Sequence, residues 1–574
     1  MFLRITAVLV VSSGLAFVML YPMFWAEKDR QPAGDATVMV WNQWHNTDAM
    51  LSGKSPLYTN LWLWPRGANL GKHTLSPGFF PVGLVVKMVT RGDPLWPFYA
   101  YRVIVFGSFV LLFALMYWFL RELSCRPLSS LVVAGAFTYC DFFMGHATHP
   151  QFPAMMFFPL ISLLLLKLHK SPSSTALVYL AMAIAVSVYF TEMVIFWAVG
   201  LLIIVILYST ATQGRADIKR IVSQVSLLGW LASSGLAILI AGPFLMAFSR
   251  VEEVSLSATA EVFSADLVGL FMPGQKFSPL WAEFFNRAFG IKYEGHDKTF
   301  LGYIIPILAI LSIGLTPKKH QPAILCVLVT AVFFLVLSLG PNLAPYYYLA
   351  KIPPFTTFRA PMRLVVVALF LLSIPAALTL SHLSKVKRRA ARLGTALFCV
   401  LAFSEIYVSH SSIREGDFSG NSLYKVFATP SRDFAKLVVD EGVPGPWVTF
   451  PPEFQDDAGV LAQIFHQQPI FATCWMSRWP KNRKDDFCNL SEAYKNSFPF
   501  RGDQDSELMA SWLKSQGVRN VLLVRTGRLR EETIKELREL INLVDARVFF
   551  DQDPFVDIFP PWMIAEISAL DEME

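Results

Sequence analysis

"SPGFFPVGLVVKMV", residues Ser76–Val89, is the stretch on which the topology turns. It is apolar enough to enter a membrane but short of the roughly 20 residues that a straight helical span needs. Around it, the other apolar runs predict spans at about 5–25, 100–120, 128–144, 151–168, 174–190, 193–209, 222–247, 299–315, 322–340, 361–383 and 393–409, about 11 in all. With the N-terminus inside and Ser76–Val89 left out of the count, the inner loops collect Arg121 and Arg126, Lys167 and Lys170, Arg215 with Lys219 and Arg220, Lys318 and Lys319, and the cluster "KVKRRAAR" at 385–392. Cytoplasmic loops carry this excess of Lys and Arg. Counting Ser76–Val89 as a span would put every one of those clusters outside. The segment therefore reads as an interfacial or re-entrant piece.

Composition supports the same class. Of 574 residues, 54% are hydrophobic and only 16% charged, which departs far from soluble averages. A backbone in hydrocarbon must satisfy its own hydrogen bonds, so continuous apolar runs predict helices, and their lack of alternation argues against a membrane barrel. The net charge of +6 is spread over short loops, which argues against nucleic acid as a partner and for a topology signal. Met1–Trp25, with Arg4 ahead of an apolar core, resembles a signal peptide but reads as an uncleaved span. The expected protein is a multi-pass helical protein of the inner, or plasma, membrane with a cytoplasmic N-terminus. Of six cysteines, only Cys474 and Cys488 share a polar region, and their spacing leaves a disulfide there open.

The irregular sequence falls on the outer side. It comprises a long first loop at 26–97, the turn "DFFMGHATHPQFP" (Asp141–Pro153), Thr191 with Glu192, a second long loop at 250–298, and "GPNLAPYYYLAKIPPFTTFRAP" (Gly340–Pro361). Loops carry function, so this face is where activity is expected. A transmembrane domain at 1–409 is followed by 410–574, which has no span. There "PWVTFP" and "NVLLVR" read as strands, while "DSELMASWLKSQG" and "REETIKELRELINLV" read as helices, predicting a small extracytoplasmic α/β domain.

The chain has no Gly-rich phosphate loop, Gly-x-Ser-x-Gly elbow, His-Glu-x-x-His or Cys-x-x-Cys motif. Attention falls instead on outer-face residues. Asp35 stands just beyond the first span. A helix over Val38–Leu51 would put Trp41, His45 and Asp48 on one face, with Trp44 at its edge, as an interfacial helix capped by Asp35 or Thr37. His146 and His149 flank a tight turn at the end of a span, where they either line a site or bond the loop backbone. Arg359 and Arg363, four apart where a span starts, share a face if the helix begins early enough; they either snorkel to headgroups or grip a phosphate. Glu405 lies toward the outer end of the last span, and the spans are otherwise nearly free of central charge.

One span, a long outer loop with an early acidic residue, many further spans and an outer tail resemble the GT-C superfamily of glycosyltransferases that use polyprenyl-phosphate sugars. Successive stretches carry the resemblance: "GDATVMVWNQWHNTDAMLSGKSPLYTNLWLWPRGANLGKHTLSP", "GHATHPQFPAMMFFPL", "SADLVGLFMPG", "YEGHDKTFLGYIIPIL", "LSLGP" and "PPFTTFRAPMRL". The group they resemble is a large set of mostly unnamed bacterial multi-pass members of that superfamily. The resemblance implies a polyprenyl-phosphate-sugar donor, a glycan, lipid or protein acceptor in the cell envelope, and surrounding membrane lipids. It implies Asp35 as catalytic base, with Arg359, Arg363, His146, His149, Glu294, Asp297 and Trp41 as substrate-binding residues. Superfamily members often use an Asp-Glu or Asp-x-Asp pair. Here Ala36 and Thr37 follow Asp35, so the second acidic residue is missing, and participation of a divalent metal, Mg²⁺ or Mn²⁺, stays open. Two other readings stand beside transfer: a transporter or flippase of a lipid-linked glycan, and a non-catalytic scaffold in envelope assembly.

Overall fold

The computed structural model describes residues 2–25, 36–61, 67–70, 75–191, 193–211, 214–249, 263–272, 299–349, 360–386 and 389–414, the strands at 447–450, 520–523 and 547–550, and single positions at 283, 286, 287 and 463. In chain order the helices are α1 (Phe2–Met19), α2 (Ala36–Leu51), α3 (Phe80–Val89), α4 (Trp96–Glu122), α5 (Pro127–Thr138), α6 (Asp141–Gly145), α7 (Phe157–Lys170), α8 (Ser174–Ser187), α9 (Met193–Ala211), α10 (Gly214–Gln224), α11 (Leu227–Ser249), α12 (Leu267–Phe271), α13 (Ile304–Leu315), α14 (Gln321–Ser338), α15 (Ala344–Leu349), α16 (Val365–Lys385) and α17 (Arg389–Arg414). The chain forms two compact units. One comprises Met1–Tyr21, Ile104–Leu245 and Leu256–Phe418; the other comprises Pro22–Val103, Met246–Ser255 and Ser419–Glu574.

The first unit is a helical membrane body. Among the described residues, seven helical stretches are long and apolar enough to cross a membrane: Trp96–Glu122, Pro127–Gly145, Pro153–Lys170, Met193–Thr210, Leu227–Ala247, Gln321–Ser338 and Pro361–Lys385. Each coincides with an expected span. The other four expected spans hold shorter apolar helical stretches, Ile5–Met19 within α1, Ser174–Ser187, Ile304–Leu315, and Leu393–Ile406 within α17. Helix α16 is the centre of this unit. It is apolar all round and fifteen of its 21 residues are buried, against α5, α13 and α14 among others. Its Phe370 meets Trp197 at 4.7 Å, Phe119 at 5.5 Å and Phe137 at 5.7 Å between ring centres. Helices α9 and α11 instead expose Leu202, Ile206, Leu231, Ile238 and Leu239, the apolar surface that a lipid-facing helix presents.

Hydrogen bonds also join the basic loops to one another. Arg126 donates its backbone N–H to Ser381 Oγ at 3.0 Å and its guanidinium to the Ser384 carbonyl at 2.6 Å. Lys170 pairs with Glu122 at 2.6 Å, and Arg220 donates to the His169 carbonyl at 2.7 Å. The loops at 121–126, 167–170, 220 and 381–385 thus lie at one end of the unit, as the charge pattern requires of loops sharing a membrane face.

In the second unit, α2 packs against α3, with the close approach made at Gly83. A Cβ at this position would stand 2.2 Å from Thr47 Oγ1. Lys87 reaches Asp48 at 3.9 Å and lies 5.4 Å from the Trp96 ring centre. The Ser76–Val89 segment is a one-turn 3₁₀ helix, Pro77–Phe79, followed by the ten residues of α3. A short antiparallel pair, β1 (Tyr58–Thr59) with β2 (Ala68–Asn69), follows α2. The tail contributes β3 (Trp447–Phe450), β4 (Asn520–Leu523) and β5 (Arg547–Phe550), a parallel sheet in the order β3-β4-β5. Both strands expected from "PWVTFP" and "NVLLVR" are present in it. Cys474 and Cys488 lie outside the described residues.

Candidate functional site

In the first unit the described candidates converge on one ring, Phe152. Helix α5 ends at Thr138, and α6 carries the chain on to Gly145, so His146 emerges at a helix end. Its Nδ1 stands 2.8 Å from the Phe142 carbonyl, which can only accept, so Nδ1 carries the proton. The turn then closes on itself: the His149 N–H donates to the His146 carbonyl at 2.9 Å, and the Phe152 N–H to the His149 carbonyl at 3.0 Å. Thr148 Oγ1 lies 2.6 Å from His149 Nδ1. These bonds fold the turn so that His146 lies 4.8 Å and His149 5.7 Å from the Phe152 ring centre. Over the same ring, at 5.0 Å, sits the guanidinium of Arg363. A cation at that distance is attracted by the negative face of the ring.

Arg363 reaches this place from the far end of the sequence by a local device. Pro361 opens a 3₁₀ turn over Pro361–Leu364, with its ring at a first helical position, and α16 continues from Val365. The Met362 N–H donates to the Phe263 carbonyl at 3.1 Å, fixing the turn against the loop before α12. Ala360, just before it, has non-helical angles. The helix therefore begins too late to place Arg359 and Arg363 on one helical face. Arg359 itself lies outside the described residues, as do Asp35, Glu192, Glu294 and Asp297.

Trp41 belongs to the second unit. Helix α2 starts at Ala36, immediately after Asp35, and is buried along most of its length, including Trp41, Trp44 and the polar Asn42, Gln43, Asn46 and Thr47. The expectation of an interfacial helix is corrected here: the tryptophans point into protein. The Trp41 ring is stacked by His45 at 4.7 Å and 8°, and its Nε1–H donates to Gln463 Oε1 at 2.7 Å. Gln463 in turn donates to the Leu61 carbonyl at 2.9 Å. His45 Nε2 stands 3.2 Å from the Pro56 carbonyl, and burial pushes its pKa down to about 4. It is therefore a neutral, structural imidazole at neutral pH.

Among the described residues no group of three or more His, Cys, Asp and Glu side chains comes together in a way that could hold a metal ion. No metal-dependent step is assigned to them.

Residues 82–405 match the family described as "Domain of unknown function (DUF6311)", which covers more than half of the chain. The chain belongs to that family. No curated protein matches it. In fold, this DUF6311 member is similar to the Archaeoglobus fulgidus oligosaccharyltransferase tethered with an acceptor peptide containing the NVT sequon via a disulfide bond. The TM-score is 0.52 at 11% identity, covering 96% of this chain and 69% of that one. A second solved structure, the archaeal oligosaccharyltransferase AglB from Archaeoglobus fulgidus in complex with an inhibitory peptide and a dolichol-phosphate, gives a TM-score of 0.48 at 11% identity, covering 82% of this chain and 64% of that one. The DUF6311 chain thus spans less than two thirds of the length of the latter. At such identity the first likeness establishes a GT-C-like fold and nothing narrower.

Sequence reasoning about this DUF6311 chain missed two participants. Gln463 was invisible because its partners, Trp41 and Leu61, lie about 400 residues away. Glu405 was seen, but its partners were not. It is buried in the first unit, where Oε2 accepts the backbone N–H groups of Tyr303 at 2.7 Å and Ile304 at 3.3 Å. The only sequence signal for that contact is Gly302, which precedes an apolar helix.

Proposed function

We propose that this chain is a GT-C-type glycosyltransferase, moving a sugar from a polyprenyl-phosphate-linked donor to an envelope glycan, lipid or protein acceptor at the outer face of the inner membrane. The observation that carries this reading is the gathering of Arg363, His146 and His149 around Phe152, in a multi-pass helical body with a GT-C-like fold. The Arg363 guanidinium supplies donors suited to a phosphate, and His146, whose Nδ1 proton is held by the Phe142 carbonyl, presents Nε2 as an acceptor suited to a sugar hydroxyl.

In this reading Asp35 takes the proton of the acceptor hydroxyl as its oxygen attacks the anomeric carbon. The bond from that carbon to the phosphate oxygen breaks, and its electron pair leaves on the lipid phosphate. Arg359 and Arg363 neutralise the charge that develops there, the electrostatic term that commonly dominates such catalysis. His146, His149, Glu294 and Asp297 bind the sugar or the acceptor. Trp41, buried and already stacked, acts by holding α2 in place. The topology that goes with this reading has 11 spans within 1–409, a cytoplasmic N-terminus, and residues 410–574 as an extracytoplasmic α/β domain.

The test is lipid-linked saccharide profiling by mass spectrometry in a deletion strain carrying either the wild-type chain or Asp35→Asn at matched protein levels. Accumulation of a polyprenyl-phosphate monosaccharide in the mutant alone, with one glycan short of a sugar, is the expected result and names both substrates. Matching profiles would move the scaffold reading ahead. Accumulation of a complete lipid-linked glycan would point to a flippase.

A further inference from the structure

On the turn that carries His149 and Phe152, one buried side chain makes no hydrogen bond among the described residues. Gln151 is 1% exposed, and neither its Nε2 nor its Oε1 has a hydrogen-bond partner among the described residues. Other buried side chains there leave a single atom unsatisfied; Gln151 leaves both ends of its amide. Native structures rarely tolerate this, because a buried polar group without a partner costs more than a formed bond returns.

The surroundings sharpen the anomaly. The turn's own groups are paired: the N–H groups of His149, Phe152 and Ala154 go to the carbonyls of His146, His149 and Pro150, and the His146 and His149 rings bond Phe142 and Thr148. Pro150 and Pro153 flank the position and bring no N–H of their own. Phe142, Ala147, Phe152, Ala154 and Met155 are all buried around the turn. In such a setting methionine or leucine would serve packing better than glutamine. A local rule broken without a structural gain marks a functional position.

We propose that Gln151 is a sugar-reading residue, its carboxamide spanning two neighbouring ring hydroxyls of the transferred saccharide. This rests on the glycosyltransferase reading above. A carboxamide offers two donors and one acceptor oxygen, while each sugar hydroxyl both donates and accepts, so an adjacent pair satisfies both ends at once. Arg363, over the neighbouring Phe152 ring, holds the phosphate end of the same donor, and the spacing between the two sets the orientation of the sugar. A lone hydrophobic pocket discriminates sugars poorly. A buried amide that only the right hydroxyl pattern can satisfy discriminates strongly.

The experiment compares full-length wild-type, Gln151→Met and Asp35→Asn chains, each purified for thermal unfolding and each expressed at matched levels in the deletion strain for lipid-linked saccharide profiling. Gln151→Met is expected to unfold at or above the wild-type temperature, since it removes two unsatisfied atoms and keeps the volume. It is also expected to accumulate the polyprenyl-phosphate monosaccharide, with transfer slowed about tenfold or more. A clearly lower unfolding temperature would show that the amide is bonded within the fold and would overturn the proposal. So would a wild-type lipid profile in Gln151→Met alongside accumulation in Asp35→Asn; that outcome leaves the transferase reading intact. If neither variant changes the profile, the transferase reading fails and the role of Gln151 falls with it. Accumulation in Gln151→Met alone upholds the sugar contact and removes Asp35 as the base.

Discussion

Glu405 holds the start of α13 from a different helix: its carboxylate accepts the Tyr303 N–H at 2.7 Å, 102 residues away in sequence. Helix N-termini leave N–H groups unsatisfied, and in a membrane no water replaces the missing partner. The residue at the N-cap of α13, Tyr303, supplies no side-chain cap of its own. Gly302 makes the approach feasible, with φ +73 and a position where a Cβ would stand 2.1 Å from Glu405 Oε1. Glu405→Leu should therefore cost about 2–4 kcal/mol by orphaning two N–H groups. Gly302→Ala should cost about 1–2 kcal/mol from its backbone conformation alone, and more from the clash. Thermal unfolding of the single and double mutants checks this, with the clash part of the Gly302→Ala penalty shrinking when Glu405 is already gone.

Acid should weaken the second unit through His45. Its folded pKa of about 4 lies below the ordinary 6.5, so above pH 6.5 the residue is neutral in both states and contributes no pH dependence. Between pH 6.5 and 4 the unfolded chain takes up a proton that the folded chain refuses. Stability falls across that window by about 3 kcal/mol and levels off below it. Unfolding temperatures measured from pH 7 to 4 should decline less steeply in His45→Gln than in wild type.

Packing of α3 on α2 should depend on the absence of a single methyl group. Gly83→Ala forces a Cβ against Thr47 Oγ1 and should cost about 1–3 kcal/mol. Adding Thr47→Ala removes the obstructing oxygen and should restore most of the loss. A double mutant no more stable than Gly83→Ala alone would show that the approach is not what limits this interface.

The bond between Trp41 and Gln463 should register as coupling. Trp41→Phe removes the indole N–H that donates to the buried Gln463 Oε1, at a cost of about 1–2 kcal/mol. A double-mutant cycle with Gln463→Leu should return a coupling energy near 1 kcal/mol, and zero coupling would mean the contact adds nothing to the unit.

On the glycosyltransferase reading, Arg363→Lys keeps a positive charge over Phe152 but loses the planar fork proposed to grip two phosphate oxygens. Transfer should fall by about 10²-fold with the unfolding temperature within a few degrees of wild type. Matched losses of both would assign Arg363 to folding alone.

Much of this architecture was legible because hydrocarbon imposes simple rules. Long apolar runs became helices, and the basic loops, placed on one side by charge alone, are joined by Arg126, Lys170 and Arg220. Even the turn carrying His146 and His149 stood out, as a polar break at the end of an apolar run. What escaped was set by contacts distant in sequence. Helix α2 carries Asn42, Gln43, Asn46 and Thr47 among its aromatics, a mixture that suggested a headgroup-facing helix, yet it is buried because α3 and Gln463 cover it. The Phe152 cluster likewise needed the fold, since Arg363 lies over two hundred residues from the ring it covers. Gln151 escaped because an amide in a loop looks ordinary until its burial is known.

The contact between Trp41 and Gln463 also sets a clock. The two residues are separated by 422 positions, and a ribosome adding about 5–20 residues per second delivers the second about 20–80 s after the first. Through that interval a tryptophan helix has already been made and lacks its final cover. Nascent α3, which emerges within a few seconds and packs at Gly83, is the element placed to shelter it until the tail arrives.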